Sequence, residues 1–139
     1  MFLTSEQAQG WLLCAVSGIG DDALADPVAW LAAVIGQGDY AAHAIFDPEE
    51  MQEGARRLLD RGLLAIRQDG FTLGLTSAGR ALCDTTAQAN PGPVDMILAL
   101  TSWCQEHAAP PPSSTWTLDE QLHQRGLDRY YKDVGPSPN

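Results

Sequence analysis

The fold is decided by residues 47–82. They open with Asp47-Pro48-Glu49-Glu50-Met51-Gln52-Glu53-Gly54-Ala55-Arg56-Arg57-Leu58-Leu59-Asp60-Arg61-Gly62 and continue as Leu63-Leu64-Ala65-Ile66-Arg67-Gln68-Asp69-Gly70-Phe71-Thr72-Leu73-Gly74-Leu75. Thr76-Ser77-Ala78-Gly79-Arg80-Ala81-Leu82 then follow. The first part reads as a helix with both ends marked. Asp47 can cap the free backbone donors, Pro48 fits the first helical position, and Glu50 can reach back to complete a capping box. Met51, Ala55, Leu58 and Leu59 form an apolar stripe at helical spacing, and Gly62 is the expected stop. Here the period changes. Leu64–Arg67 and Phe71–Leu75 read as strands around Gln68-Asp69-Gly70, since Asp-Gly between apolar runs is a strong hairpin signal. Thr76 or Ser77 then caps a helix running through Ala78, Ala81 and Leu82 toward Ala87.

Upstream, a first helix begins at Thr4 or Ser5 and repeats Ala8, Trp11, Leu12, Ala15, Val16 and Ile19, before Gly18, Gly20 and Asp21-Asp22 end it. Asp26-Pro27 opens a second helix. Its run Val28–Ile35 is apolar on nearly every side, which places it at the centre of the core. Gly36-Gln37-Gly38 is expected to stop it, and Asp39–Phe46 to form a separate short helix. Downstream, Asn90-Pro91-Gly92-Pro93 breaks the chain before a helix over Val94–Ala108, with Ile97, Leu98, Leu100 and Trp103 apolar. Pro110–Ser114 reads as a stiff extended linker. Trp116–Tyr131 is amphipathic, and residues 135–139 are expected to be disordered. The expected division is a core unit over 1–90, a helix within 91–109, and a Pro-rich linker with an amphipathic tail over 110–139. The fold class is mainly α with a small β-hairpin and additional C-terminal helices.

At 139 residues the chain is one ordinary domain, large enough to bury a core without a metal or disulfide. Its three cysteines, Cys14, Cys83 and Cys104, are too few and too scattered for a disulfide framework, so a reducing cytoplasm is expected. No apolar run approaches the roughly 20 residues of a membrane span, and no basic segment precedes an apolar stretch as in a signal peptide. The net charge of −10 is unevenly spread. Residues 1–55 hold nine acids and no Lys or Arg, whereas residues 56–139 hold nine acids and all eight bases. Nucleic-acid affinity comes largely from neutralising phosphates, and the first of these stretches can only repel them.

The order helix, short helix, helix, hairpin, helix is that of a winged helix-turn-helix. The residues Leu58-Leu59-Asp60-Arg61-Gly62-Leu63-Leu64, Asp69-Gly70 and Leu75-Thr76-Ser77-Ala78-Gly79-Arg80-Ala81-Leu82 resemble the third helix, wing and following helix of bacterial winged-helix regulators of the MarR, PadR and ArsR kind. The resemblance covers about residues 26–82. It implies a fold and does not carry a function with it. In DNA-binding members the N-terminal half of the third helix enters the major groove with Ser, Thr, Arg, Gln or Asn. The matching positions here are Glu49, Glu50, Gln52 and Glu53, of which only Gln52 suits a base edge. The wing offers Arg67 alone, with Asp69 close by.

Catalytic chemistry finds little support. His43 is a lone histidine among alanines. Cys104 and His107 share a helix face, but two ligands do not make a zinc site. Cys14 and Cys83 read as small core residues, and Arg80 is the only base placed to activate Cys83 as a redox sensor. Ser17-Gly18-Ile19-Gly20 is too short to cradle a phosphate. The expectation is therefore a non-enzymatic protein without cofactor or metal. It would act as an adaptor, inhibitor or immunity-type partner of a protein carrying basic charge. The candidate contact residues are Glu49, Glu50, Gln52 and Glu53, with Trp116, Leu122, Tyr130 and Tyr131 from the tail. Two readings of that tail stand: it folds back over a groove of its own domain, or it docks on a partner or a second copy. Residues 5–18 and 94–107 are candidate homodimer helices. The alternative function is a dimeric DNA-binding transcriptional regulator that uses Arg56, Arg57, Arg61 and Arg67 for phosphates.

Overall fold

In the computed structural model, which describes residues 3–19, 26–42 and 46–134, six helices and one hairpin follow the chain order. They are α1 (Ser5–Ile19), α2 (Pro27–Ala42), α3 (Pro48–Asp60), β1 (Leu64–Ile66), β2 (Leu73–Leu75), α4 (Ser77–Ala89), α5 (Pro93–Glu106) and α6 (Glu120–Val134). The architecture is mainly α with a small antiparallel hairpin, as the sequence leads one to expect. His43 and the segment 135–139 lie outside the described residues.

The α2 run is central to the core as expected, and α1 shares that centre. Ala8, Trp11, Leu12, Leu13, Ala15 and Val16 are all buried, and α1 packs against α2, α3, α4 and α5. Buried Gln9 is tolerated because both ends of its amide are satisfied: Nε2 donates to Ser5 Oγ at 3.1 Å and Oε1 accepts from Arg61 Nε at 2.7 Å. α2 is apolar on nearly every side for a different reason. It lies between α1 and α6, with Trp30, Leu31, Val34 and Ile35 almost wholly enclosed.

The expected break at Gly36-Gln37-Gly38 does not occur. α2 runs unbroken through both glycines, so residues 39–42 are its last turn and not the start of a separate helix. The glycines serve close approach. A Cβ at Gly38 would fall 2.7 Å from Trp11 Nε1 and 2.8 Å from the Phe46 ring, and one at Gly36 would fall 3.2 Å from the Tyr130 ring. Glycine costs about 1 kcal/mol in a helix interior relative to alanine, and at Gly38 a side chain would have to displace the Trp11 or Phe46 ring.

The helix and hairpin at the heart of the sequence form as their residues dictate. Asp47 is the N-cap of α3 and accepts from Glu49 N at 2.9 Å; Gly62 leaves the helix end with φ +74°. The strands pair Leu64 with Leu75, Ala65 with Gly74 and Ile66 with Leu73. They are shorter than expected because the loop takes more residues: Arg67 N donates to Thr72 O at 2.8 Å, and Gly70 sits at φ +78°. Thr76 caps α4, its hydroxyl accepting from Gly79 N at 3.0 Å.

The last third of the chain is not separated from the body. Residues 113–118 run extended as a strap, and α6 then packs on α2. The amphipathic helix therefore starts at Glu120 and not at Trp116.

Candidate interaction surface

α3 buries Met51, Gly54, Ala55 and Leu58. Its remaining positions divide into two flanks. On one, Leu3 N donates to Glu50 Oε2, and Glu53 Oε1 accepts from Ser5 Oγ at 3.3 Å and from Arg57 Nε at 2.9 Å. On the other, Gln52, Arg56 and Asp60 stand four residues apart and meet the strap in turn. Asp60 accepts from Ser113 N at 3.2 Å, Ser113 Oγ at 2.8 Å and Ser114 N at 2.9 Å. Arg56 Nε donates to Trp116 O at 2.7 Å, and Gln52 Oε1 accepts from Leu118 N at 3.0 Å. The strap thus runs antiparallel to α3. The spacing is a geometric match: four helical residues rise about 6 Å, close to the rise of two residues in an extended chain.

Trp116, a candidate for docking on a partner, is instead 5% exposed. It stacks on Phe71 of the hairpin loop with ring centroids 5.0 Å apart, and its Nε1 donates to Phe71 O at 2.8 Å. Phe71 in turn meets Trp30 edge-on at 5.8 Å. Leu122 is half-buried against the core. The Tyr130 hydroxyl donates to Asp39 Oδ2 at 2.6 Å, and that bond to a carboxylate, with burial, pushes its pKa up to about 12. Of the four tail candidates only Tyr131, 54% exposed, faces mainly outward. Of the two readings of the tail, folding back onto its own domain is the one found. The candidate homodimer helix at 5–18 is likewise buried for most of its length, whereas α5 leaves Val94 and Leu98 exposed.

The four arginines considered for phosphate binding have internal occupations. Arg56 holds the strap and Arg57 pairs with Glu53. Arg61 is the most fully engaged: besides Gln9, its guanidinium donates to His107 O at 2.9 Å and Cys104 O at 3.0 Å, and lies 5.6 Å from the Trp103 ring centre. It therefore caps the negative end of α5. The Arg67 guanidinium lies against Gly74, whose added Cβ would come within 2.7 Å of its Nε.

Two helix N-termini meet beside this flank. His123, in the first turn of α6, places Nε2 3.0 Å from Phe46 O, immediately before the Asp47 cap of α3. A carbonyl can only accept, so Nε2 carries the proton in this contact. Burial lowers the His123 pKa, partly opposed by that hydrogen bond and by Asp47. Asp119 caps α6, accepting from Leu122 N at 2.6 Å. The result is one end of the molecule where Asp47, Glu49, Asp119 and Glu120 are all exposed. Sequence reasoning singled out Glu49 but not Asp119 or Glu120, because only the fold-back of the strap brings them beside α3. It also passed over Asp60. The available signal was the polar row Gln52, Arg56, Asp60 bordering the buried stripe at i, i+4 and i+8.

Among the described residues no group of three or more His, Cys, Asp or Glu is placed to hold a metal ion. Burial raises the pKa of all three thiols, Cys83 to about 11. No protein-family model, curated protein or solved structure matches the chain.

Proposed function

We propose that this chain is a winged-helix protein working through protein–protein contacts, as an adaptor, inhibitor or immunity-type partner in the cytoplasm. Its exposed acidic end would meet a partner carrying basic charge. The observation that carries the reading is that exposed acids gather where the N-termini of α3 and α6 meet, while the bases of α3 and its C-cap are held in intramolecular contacts. The half-buried guanidiniums of Arg56, Arg57 and Arg61 each bond to groups of their own chain, while Asp47, Glu49, Asp119 and Glu120 stand exposed at one end. Such a face speeds encounter with a cationic surface and repels phosphate. Among the described residues no helix is long and apolar enough to cross a membrane.

The test uses two probes, a lysine-rich peptide and a short DNA duplex, each titrated against the full chain at low and moderate salt. The reading expects the peptide to associate faster at low salt and the duplex not to bind. Glu49→Lys with Glu120→Lys should slow peptide association about tenfold and flatten its salt dependence. Duplex binding that weakens steeply with salt would instead establish the DNA-binding regulator.

A further inference from the structure

Every hydrogen bond from the C-terminal arm (residues 113–134) to the rest of the chain ends, among the described residues, within residues 39–71. Ser113 and Ser114 reach Asp60, Trp116 reaches Arg56 and Phe71, Leu118 reaches Gln52, His123 reaches Phe46, and Tyr130 reaches Asp39. The packing partner of α6 is likewise α2. The arm is thus docked on the first half of the molecule, although it grows from α5.

The connection between the two is Ala108-Ala109-Pro110-Pro111-Pro112. It is exposed throughout, and among the described residues it makes no hydrogen bond. Its flanks are fixed: His107 O is held by Arg61, and Ser113 by Asp60. Three consecutive prolines stiffen it and leave Pro110–Pro112 without backbone donors.

We propose that the arm is exchangeable, so that residues 113–134 of a second copy fill the cleft between α3 and the hairpin, and the α2 face, in a reciprocal dimer. Each contact just named is reproduced unchanged when the arm comes from another chain, and the only segment that must take a new path has no hydrogen bonds to break. The strap is also suited to delivery in trans. Asp60, Arg56 and Gln52 grip mainly its backbone, as peptide grooves do, while the Trp116 ring supplies the anchor. Docking within one chain is favoured by effective concentration, so the exchanged form gains with protein concentration and on refolding. This proposal goes beyond the preceding reading and does not draw on the acidic end.

Two full-length variants test it. Trp116→Ala spoils the arm and leaves the groove intact; Arg56→Glu spoils the groove and leaves the arm intact. Refolded separately, each should be monomeric. Refolded together at high concentration, they should give a one-to-one heterodimer by native mass spectrometry, the sound arm of one chain seated in the sound groove of the other. A mixture that remains monomeric overturns the proposal. So does a dimer that Arg56→Glu forms alone, because it would use another surface. Where either variant fails to fold, Asp60→Cys with Ser113→Cys in one chain replaces the pair. Exchange predicts a disulfide-linked dimer whose fraction grows with refolding concentration. Cross-links confined within single chains at every concentration overturn it.

Discussion

Asp69 accepts from Phe71 N at 2.9 Å, Thr72 N at 2.8 Å and the Thr72 hydroxyl at 2.8 Å. Asp60 accepts the same set of donors, from Ser113 N, Ser114 N and the Ser113 hydroxyl. Each carboxylate thus binds two backbone amides and one hydroxyl, and each fixes a short irregular segment. In both, burial acts to raise the carboxyl pKa, but the hydrogen bonds outweigh it and hold the group below the usual range. What differs is range along the chain. Asp69 organises the loop it belongs to, whereas Asp60 holds residues more than fifty positions away. A local fastening forms with its own turn. A distant one depends on the chain having already brought both parties together.

The comparison is tested most severely at Trp116. Trp116→Ala should cost about 3–5 kcal/mol in urea unfolding, the range for removing a large buried aromatic. Amide exchange sharpens the result: protection should fall over 113–134 while 64–75 keeps its own. Equal loss in both segments would mean that strap and hairpin are one cooperative unit, and the contrast drawn between them would fail.

Arg61→Ala comes next, at about 2–3 kcal/mol, because it leaves Gln9 Oε1 and the Cys104 and His107 carbonyls without their donor. Arg61→Lys should recover little, since one ammonium cannot reproduce the planar fork. Thermal unfolding of the two variants side by side checks this.

Asp60→Ala and Asp69→Ala should each cost about 1 kcal/mol, as lost side-chain caps of backbone amides do. Their distribution should differ: exchange rises at 113–118 in the first and at 67–75 in the second. Both native carboxyls titrate below their ordinary value of 3.8. Their contribution is present above that value and is lost as pH falls through the folded-state values.

The smallest effect belongs to His123, whose pKa lies below 6.5 in the folded protein. The folded state resists the proton that the unfolded state accepts. Stability is therefore undiminished above pH 6.5 and declines as pH falls through that value toward the folded-state pKa. Melting temperatures across this window should slope for the native chain and flatten for His123→Gln.

These ranges explain what was legible in the sequence. The Asp47 cap of α3, the Gly62 stop, the hairpin turn and the α4 cap are made by residues within a few positions of one another and were legible, whereas the capping box expected of Glu50 does not form because its carboxylate accepts from Leu3 N, 47 positions away. The helix break at Gly36 and Gly38 was misread because Trp11, Phe46 and Tyr130 supply the reason for those glycines, and all three lie on other elements. The candidate surface divides in the same way. Glu49 could be identified from its place at a helix start. Gln52 and Arg56 looked equally available, yet both grip a strap some sixty residues downstream.

The position of α6 also has a consequence for the order in which the protein can mature. Leu31 and Ile35 lie beneath Gly126, close enough that a Cβ there would come within 2.8 Å of Leu31 Cβ. A ribosome completes α2 long before it reaches α6, so the nascent chain must carry this oily flank uncovered while some eighty further residues are made. Holdase chaperones, or a neighbouring nascent chain on the same message, therefore have their opportunity in that interval. It closes only when residues 120–134 leave the exit tunnel.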